Sequence, residues 1–252
     1  MRYTDLIFDL YGTLVDIHTE ESPEVWEKTA LYFRFYGADY SGVTLKEAFQ
    51  GELRRREAKE GQSYECFPDI PFEQVLAQLF RAKGILENPE DLGKNAAQLF
   101  RILSIDYLKL YPQVMETLTM LRQEGFRLWL LSNAQRVFTA YELRSLGLES
   151  CFDGIWISSD YRCRKPDLRF FRSPLEEKGL KAENCLMIGN DRMTDIAGAK
   201  AAGLATLYMH TNLTPADQLP ADPEKLPGRC PGPHWEVEGY DWVKIGKMLR
   251  EI

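Results

Sequence analysis

The sequence predicts an α/β protein built on a doubly wound parallel sheet, with an all-helical domain inserted after the first strand. Short apolar runs of strand length alternate with helical segments through the second half of the chain. Between about Ser22 and Tyr111, by contrast, the apolar residues follow helical spacing with little strand signal. We therefore expect an α/β core of residues 1–16 and 112–252, and a helical domain of residues 17–111.

The first predicted strand ends at a carboxylate. Leu6, Ile7 and Phe8 form the short apolar run that is typical of a strand buried on both faces of a sheet, and Asp9 follows directly. Open α/β sheets bind their ligands outside the carboxyl ends of the strands. Gly12 then permits a sharp turn, so that the Thr13 hydroxyl comes within reach of whatever Asp9 holds. This stretch predicts that Asp9 is a nucleophile or a metal ligand.

The inserted region carries several helix-start signals. Ser22 followed by Pro23 is a typical N-terminal cap with proline in the first turn. Thr44, with Glu47 three residues later, predicts a capping box for a second helix that runs to about Lys59. Two further helices are expected at 72–83 and 89–103, and a loop at 61–71.

The rest of the chain returns to strands and helices in alternation. Strands are expected at 126–131, 154–157, 184–188 and 204–209, with a short final strand at 235–237. Helices are expected at about 114–125, 139–146, 195–202 and 242–249, and 212–233 is rich in Pro, Asp and Gly and predicts a long surface loop. This alternation predicts parallel strands joined by helical crossovers.

Four polar clusters follow four of the predicted strands. They are Asp9, Ser132 with Asn133, Lys165, and Asp191 with Asp195. Each cluster alone also fits a helix cap, an exposed lysine or a turn. Because the carboxyl ends of parallel strands meet at one edge of a sheet, we expect all four clusters to converge there.

In their order and in their Lys-Pro-Asp and Gly-Asn-Asp contexts, these clusters resemble the four motifs of the haloacid dehalogenase (HAD) superfamily of hydrolases. The resemblance extends from residue 5 to about residue 203. It implies a subfamily I member, in which an inserted helical cap closes over the site and selects the substrate. It also implies that Asp9 attacks the substrate.

For a phosphatase of this superfamily, the resemblance implies a bound Mg²⁺. Its ligands would be the Asp9 and Asp191 carboxylates and the backbone carbonyl of Tyr11, since Mg²⁺ prefers hard oxygen ligands. Spacing alone leaves open whether Asn190 or Asp191 faces the metal, and we favour the charged Asp191. Asp195 would hold a metal-bound water or orient Lys165.

The remaining motif residues would stabilise charge. Lys165 would balance the negative charge of Asp9 and of the aspartyl-phosphate intermediate. Ser132 and the backbone after it, at Asn133, would donate hydrogen bonds to the transferred group, and the Thr13 hydroxyl would lie within reach of whatever Asp9 holds. The resemblance thus gives each polar cluster a role in one reaction.

Tyr11 departs from the phosphatase pattern, in which an acid–base Asp stands two residues after the nucleophile. The Asp-x-Tyr-Gly-Thr form is similar to the 2-haloacid dehalogenases, which use the same Asp on carbon without a metal. Candidate arginines for a haloacid carboxylate are Arg34 and 54–56. Three hypotheses therefore stand: a Mg²⁺-dependent phosphatase of a small phosphorylated metabolite, a metal-independent dehalogenase, and a ligand-binding protein with low turnover. We rank them in that order.

Composition narrows the class of partner. The net charge of −7 argues against a nucleic-acid-binding surface, and no apolar run approaches the roughly 18 residues that span a bilayer. The five cysteines form no paired motif, which is typical of reduced thiols in a cytoplasmic protein. We expect a small-molecule substrate, with neither a nucleic acid nor a membrane as partner, and the oligomeric state stays open.

Overall fold

The computed structural model describes residues 3–60, 66–215 and 232–252. Its strands are β1 (Asp5–Phe8), β2 (Val15–Thr19), β3 (Ile105–Leu110), β4 (Arg127–Ser132), β5 (Gly154–Ile157), β6 (Cys185–Gly189), β7 (Ala205–His210) and β8 (Trp235–Glu238). Its α-helices are α1 (Pro23–Phe35), α2 (Gly42–Glu60), α3 (Phe72–Ala82), α4 (Pro89–Ser104), α5 (Val114–Gln123), α6 (Arg136–Ser145), α7 (Ser158–Tyr161), α8 (Leu168–Lys178), α9 (Gly198–Ala201) and α10 (Trp242–Glu251). A π-helical turn lies at Arg192–Ala197, and short 3-10 turns lie at Glu149–Cys151 and Ala182–Asn184.

Six of these strands form one parallel sheet in the order β5-β4-β1-β6-β7-β8. Every residue of β1 is buried, because the strand lies inside the sheet between β4 and β6. Leu6 and Phe8 belong to the apolar cluster on one face, to which α5 and α10 contribute, whereas Ile7 belongs to the cluster on the other face, with residues of α8 and α9. The predicted doubly wound α/β core with a helical insertion is confirmed.

The four helices α1 to α4 have an apolar cluster of their own, separate from the two clusters that flank the sheet. At its centre the rings of Phe33 and Phe80 stack with centroids 4.0 Å apart. The segment before α3 connects these helices to the core. Phe72 N donates to Gln135 Oε1 at 2.8 Å, and Phe67 N donates to Asp167 Oδ2 at 3.2 Å. These bonds hold the helical part against loops that follow β4 and β5.

A two-stranded antiparallel sheet of β2 and β3 corrects one sequence expectation. The inference of little strand signal between Ser22 and Tyr111 is wrong for β3, which pairs with β2 in a register that joins Asp16 to Lys109. Every residue of β3 is at least partly exposed, so it lacks the apolar run by which the core strands are recognised. Its pairing partner lies about 90 residues earlier, beyond the reach of local patterns.

The start of α2 is a second correction. The helix begins at Gly42, and Ser41 rather than Thr44 precedes it. Thr44 N donates to Ser41 Oγ at 3.2 Å, and Ser41 N donates to Thr44 Oγ1 at 2.9 Å. This reciprocal pair is a capping box in which Thr44 takes the third helical position, so Glu47 is simply an internal residue of the helix.

Parts of the two predicted loops lie outside the described residues, namely 61–65 and 216–231, and Cys230 lies there too. The four described cysteines are free thiols. Across the described ranges, no helix combines the length and the apolar character that crossing a bilayer requires.

Candidate active site

Asp9 lies at the carboxyl end of β1, where its backbone N–H still donates to Ile188 O on β6 at 2.9 Å. The residue is only 7% exposed. Its Oδ2 accepts a hydrogen bond from Thr13 Oγ1 at 3.3 Å. The turn that brings Thr13 back requires Gly12, which has φ +83° and whose added Cβ would lie 2.3 Å from Asn190 Nδ2. Gly12 therefore allows the loop after β1 to turn tightly beside the Asp9 carboxylate.

Lys165 provides the positive charge beside Asp9. Its ammonium group is buried and donates to Asp9 Oδ1 at 2.6 Å and to the Leu131 carbonyl at 2.8 Å. It also forms an ion pair with Asp195 Oδ1 at 2.7 Å. Burial opposes the charge, but Asp195 and Asp9 outweigh it and raise the pKa of Lys165. Lys165 is thus a fixed cation between two carboxylates.

Asn133 positions the backbone of Lys165. Asn133 Oδ1 accepts from Lys165 N at 2.8 Å, and Asn133 Nδ2 donates to Lys165 O at 3.0 Å. The neighbouring Ser132 ends β4 and is fully buried, and its Oγ has no hydrogen-bond partner among the residues that the structure describes. A buried hydroxyl without a protein partner is a candidate donor to a ligand.

The loop after β6 carries the remaining acids. Asp191 caps the π-helical turn, since its Oδ1 accepts from Met193 N at 2.8 Å and from Thr194 N at 3.0 Å. Asp195 Oδ2 accepts from Asp191 N at 3.0 Å. Burial, together with the nearby Asp9 and Asp191 and in spite of Lys165, raises the pKa of Asp195. The helix predicted at 195–202 is instead the end of a π-helical turn, Arg192–Ala197, followed by α9 at Gly198–Ala201.

A cavity of about 220 Å³ opens onto Asp9. It is lined by Asp9, Tyr11, Asn133, Lys165, Asn190, Asp191, Thr194, Asp195, Leu213 and Pro215. Most of the predicted site residues are thus brought together at one rim of the sheet, whereas Ser132 and Thr13 are fully buried and are not among the lining residues. Leu213 and Pro215 follow β7 and belong to no motif, so the sequence offered no signal for them. Thr194 stands within the Asp191–Asp195 cluster and could have been inferred from it.

Tyr11 makes contacts that the sequence did not predict. Its hydroxyl donates a short hydrogen bond to Glu142 and lies 3.0 Å from Thr139 Oγ1, both on α6. Arg101 on α4 in turn holds Glu142, with Nε 2.6 Å from Oε1 and a terminal nitrogen 3.1 Å from Oε2. Burial first, and then the Glu142 charge, raise the pKa of Tyr11 well above its usual range. Tyr11 therefore connects the loop of Asp9 to the helical part of the chain.

Comparison with known proteins identifies the family of the chain. The profile of a family described as haloacid dehalogenase-like hydrolase matches residues 6–203. The chain belongs to the haloacid dehalogenase-like hydrolases. Its Asp9, Ser132, Lys165 and Asp191 clusters all lie within the matched segment.

Among relatives of this HAD-like hydrolase, a glyceraldehyde 3-phosphate phosphatase from Methanothermobacter thermautotrophicus is 32% identical over 111 residues. The match covers 44% of this chain and 49% of that protein, so the chain spans about half the length of that curated relative. An N-acylneuraminate-9-phosphatase from Rattus norvegicus is 26% identical over 83% of both chains. The structure of a 2-haloacid dehalogenase from Pseudomonas syringae has a TM-score of 0.66 at 20% identity, with 99% of both chains covered. The last comparison shows a shared fold.

The residues at the cavity fit a magnesium ion. Asp9, Asp191 and Asn190, whose side chains carry carboxylate and amide oxygens, line the cavity together with Tyr11. In the described ranges, no group of three or more His, Cys, Asp or Glu side chains is arranged to hold a metal. Mg²⁺ needs no such group, because it is commonly bound by one or two carboxylates and keeps several waters. The donor set of the HAD-like hydrolase is therefore suited to Mg²⁺ rather than to a softer metal.

Proposed function

We propose that this hydrolase is a Mg²⁺-dependent phosphatase that acts on a small phosphorylated metabolite through an aspartyl-phosphate on Asp9. One observation supports the proposal most directly. The Asp9 carboxylate is held at 2.6 Å by the buried Lys165 ammonium, while its other oxygen accepts a single long bond from Thr13, and the carboxylate opens onto a cavity of about 220 Å³. A nucleophile is thus oriented and electrostatically balanced at a cavity of suitable size.

Each residue at the cavity has a role in this reaction. Asp9 attacks phosphorus, and Lys165 balances the negative charge of Asp9 and of the intermediate. Bound Mg²⁺, held by Asp9 and Asp191, would supply further positive charge to the phosphoryl oxygens. Ser132 Oγ, which has no partner among the described residues, is available as a donor to the transferred group. Asp195 keeps Lys165 in place through their 2.7 Å ion pair.

The acids around Asp9 favour a phosphatase over a dehalogenase. Asp191 and Asp195 line the same cavity, and they would repel the carboxylate of a haloacid unless a cation lay between them. The curated relatives also favour this choice, since both are named as phosphatases. The arginines considered for a haloacid carboxylate, Arg34 and 54–56, do not appear among the described residues of the cavity wall.

The division of labour between domains is part of the proposal. The helices of residues 17–111 would act as a cap that selects the substrate, and residues 1–16 and 112–252 would carry out the chemistry. Contacts of Arg101 with Glu142 and of Phe72 with Gln135 support close packing of the helices over this rim of the sheet. The five cysteines form no paired motif in the sequence, which is typical of reduced thiols and supports a cytoplasmic location.

A dehalogenase remains the second candidate, and Tyr11 is the observation that favours it. The test measures phosphate release from a generic phosphate ester with and without Mg²⁺, and halide release from 2-chloropropionate with a chelator present. We expect phosphate release that requires Mg²⁺ and that Asp9→Asn abolishes. Halide release that survives the chelator would replace the proposal with a dehalogenase, and inactivity in both assays with retained Mg²⁺ binding would indicate a ligand-binding protein.

A further inference from the structure

The segment between α2 and α3 pairs with the loop that precedes Lys165. Pro68 forms an isolated antiparallel bridge with Cys163. Two backbone hydrogen bonds flank this bridge, namely Arg164 N to Phe67 O at 2.9 Å and Asp69 N to Arg162 O at 3.1 Å. The backbone that leads into Lys165 is thus held by the helical part of the chain.

The Asp69 side chain connects the same segment to a second loop, which follows β4. Its Oδ1 accepts from Gln135 Nε2 at 2.8 Å, and its Oδ2 accepts a short hydrogen bond from Ser158 Oγ. Ser158 Oγ also accepts from Ala134 N at 2.8 Å. Both bonds of the carboxylate therefore lead to the two residues that follow Asn133.

Asp69 is buried, with 9% of the residue exposed. Burial raises the pKa of its carboxyl, against the hydrogen bond from Ser158, the charge of Arg164 and the hydrogen bond from Gln135. Burying a polar group is costly unless donors satisfy it, so these two bonds keep the side chain in place. Asp69 does not appear among the described residues of the catalytic cavity, so it can affect the reaction only through the residues that it holds.

Asn133 connects the second loop to Lys165. It accepts from Lys165 N at 2.8 Å and donates to Lys165 O at 3.0 Å. Lys165 is therefore held from two sides, by the paired backbone before it and by Asn133 beside it. The backbone of Asp69 belongs to the first support and its carboxylate to the second. The ammonium at the end of this scaffold lies 2.6 Å from Asp9 Oδ1.

We propose that Asp69 is a positioning residue, which fixes the Lys165 ammonium beside Asp9 and thereby makes the helical insertion part of the catalytic scaffold. The inference goes beyond the proposed phosphatase function and relies on it only for the assay of turnover. Loss of the carboxylate frees the loop after β4 from the segment before α3, and a displacement of about 1 Å can cost about 10²-fold in rate. Because Lys165 acts on the charge of the intermediate, kcat should fall while KM changes little.

Two replacements of Asp69 test the role. Asp69→Ala removes both links and should lower kcat for a generic phosphate ester at saturating Mg²⁺ by about 10²-fold. Asp69→Asn should recover most of this loss, since its oxygen accepts from Gln135 and its amide donates to Ser158 Oγ. Ser158 then donates its own hydrogen bond to Ala134 O, 3.2 Å away. An equal loss in both variants would contradict the hydrogen-bonded link and overturn the inference.

Tyr40→Phe is the matched control within the helical insertion. The buried Tyr40 hydroxyl donates to Leu79 O at 3.2 Å, so this variant also loses a buried hydrogen bond but keeps its ring. It should lower the free energy of unfolding and leave kcat unchanged. A fall in kcat as large as that of Asp69→Ala would mean that stability alone accounts for the effect, and the inference would be overturned.

A double variant tests whether Asp69 acts through Lys165. Asp69 and Asn133 belong to the same support of Lys165, so their effects should overlap. The loss of kcat in Asp69→Ala combined with Asn133→Ala should be clearly smaller than the product of the two single losses. Losses that multiply would show independent effects and contradict the proposal.

Crystal structures provide a measurement that does not depend on turnover. In Asp69→Ala the distance from Lys165 Nζ to Asp9 Oδ1 should exceed the 2.6 Å of the wild type, and Asp69→Asn should keep it. An unchanged distance in Asp69→Ala would overturn the positioning role and leave the phosphatase proposal intact. A lengthened distance in Asp69→Ala, with no phosphate release from the wild type, would support the positioning role and refute the phosphatase proposal. If Asp69→Ala does not fold, Gln135→Ala removes one of the same links from the core side and replaces it in both measurements.

Discussion

Lys165 Nζ lies 2.6 Å from Asp9 Oδ1, although the two residues are 156 positions apart in the chain. The lysine side chain is 1% exposed and the Asp9 side chain 10% exposed, so water contributes little to the stability of either charge. On its other side Lys165 pairs with Asp195 at 2.7 Å. The arrangement places one cation between two carboxylates at the end of β1.

Lys165→Met should reduce the free energy of unfolding by about 3–5 kcal/mol, because it leaves the buried Asp9 and Asp195 without their shared cation. It should also abolish turnover. Urea unfolding followed by circular dichroism measures the first effect. Lys28→Met is the matched control, since Lys28 pairs with Glu24 on the exposed face of α1 and such pairs contribute little. Equal stability of the two variants would contradict this account of the buried pair.

Asp191→Asn should weaken Mg²⁺ binding by at least roughly tenfold while preserving the fold. Asparagine is as good an N-terminal cap as aspartate, so the bonds to Met193 N and Thr194 N survive while the charge is lost. Titration calorimetry with Mg²⁺ measures the affinity directly, and the exposed Asp160→Asn serves as the charge-matched control. Unchanged affinity in Asp191→Asn, with loss in Asn190→Ala, would assign the metal to Asn190 instead.

The bond from Tyr11 to Glu142 should appear as a coupling free energy on the order of 1–3 kcal/mol in a double-mutant cycle. Tyr11→Phe removes the donor of this hydrogen bond, Glu142→Gln removes the charge of its acceptor, and the double variant combines both changes. Chemical unfolding of the wild type, the two single variants and the double variant provides the measurement. Additive effects would mean that the two side chains do not interact in solution.

Asp16 should stabilise the fold above its unfolded pKa of about 4 and lose this effect as the pH falls. Burial opposes its charge, but hydrogen bonds from Asn212 and Lys109 outweigh burial and hold the pKa of Asp16 below its usual range. A lowered folded-state pKa means that the unfolded chain binds the proton first. The unfolding free energy of the wild type relative to Asp16→Asn should therefore fall between about pH 5 and the acid limit. A difference independent of pH would contradict the assignment.

The strand ends and the order of the polar clusters were enough to predict the core sheet from the sequence. Fully buried strands such as β1 and β6 are continuous apolar runs, and each ends abruptly in polar residues. The half-exposed β3 lacks this signal, and its pairing with β2 depends on a partner about 90 residues away. Local patterns therefore reveal the fully buried strands and miss the pairing of β2 with β3.

The site was predictable to the same extent. The sequence alone predicted that four side chains lie close together, because each follows a buried strand of a parallel sheet. They are those of Asp9, Lys165, Asp191 and Asp195. Glu142 and Arg101 could not be predicted in this way, since each lies inside a helix and meets Tyr11 only through the packing of α4 and α6 near the sheet. What Tyr11 does in place of the usual Asp became visible only from these long-range bonds.

Covalent trapping would show whether Asp9 is the nucleophile. The protein would be mixed with acetyl phosphate and Mg²⁺, quenched in acid within the first turnovers, digested and sequenced by mass spectrometry, with Asp9→Asn treated in parallel. We expect a phosphoryl group on Asp9 in the wild type and no phosphorylated peptide in the variant. A phosphoryl group on another residue, or steady turnover by Asp9→Asn, would contradict it.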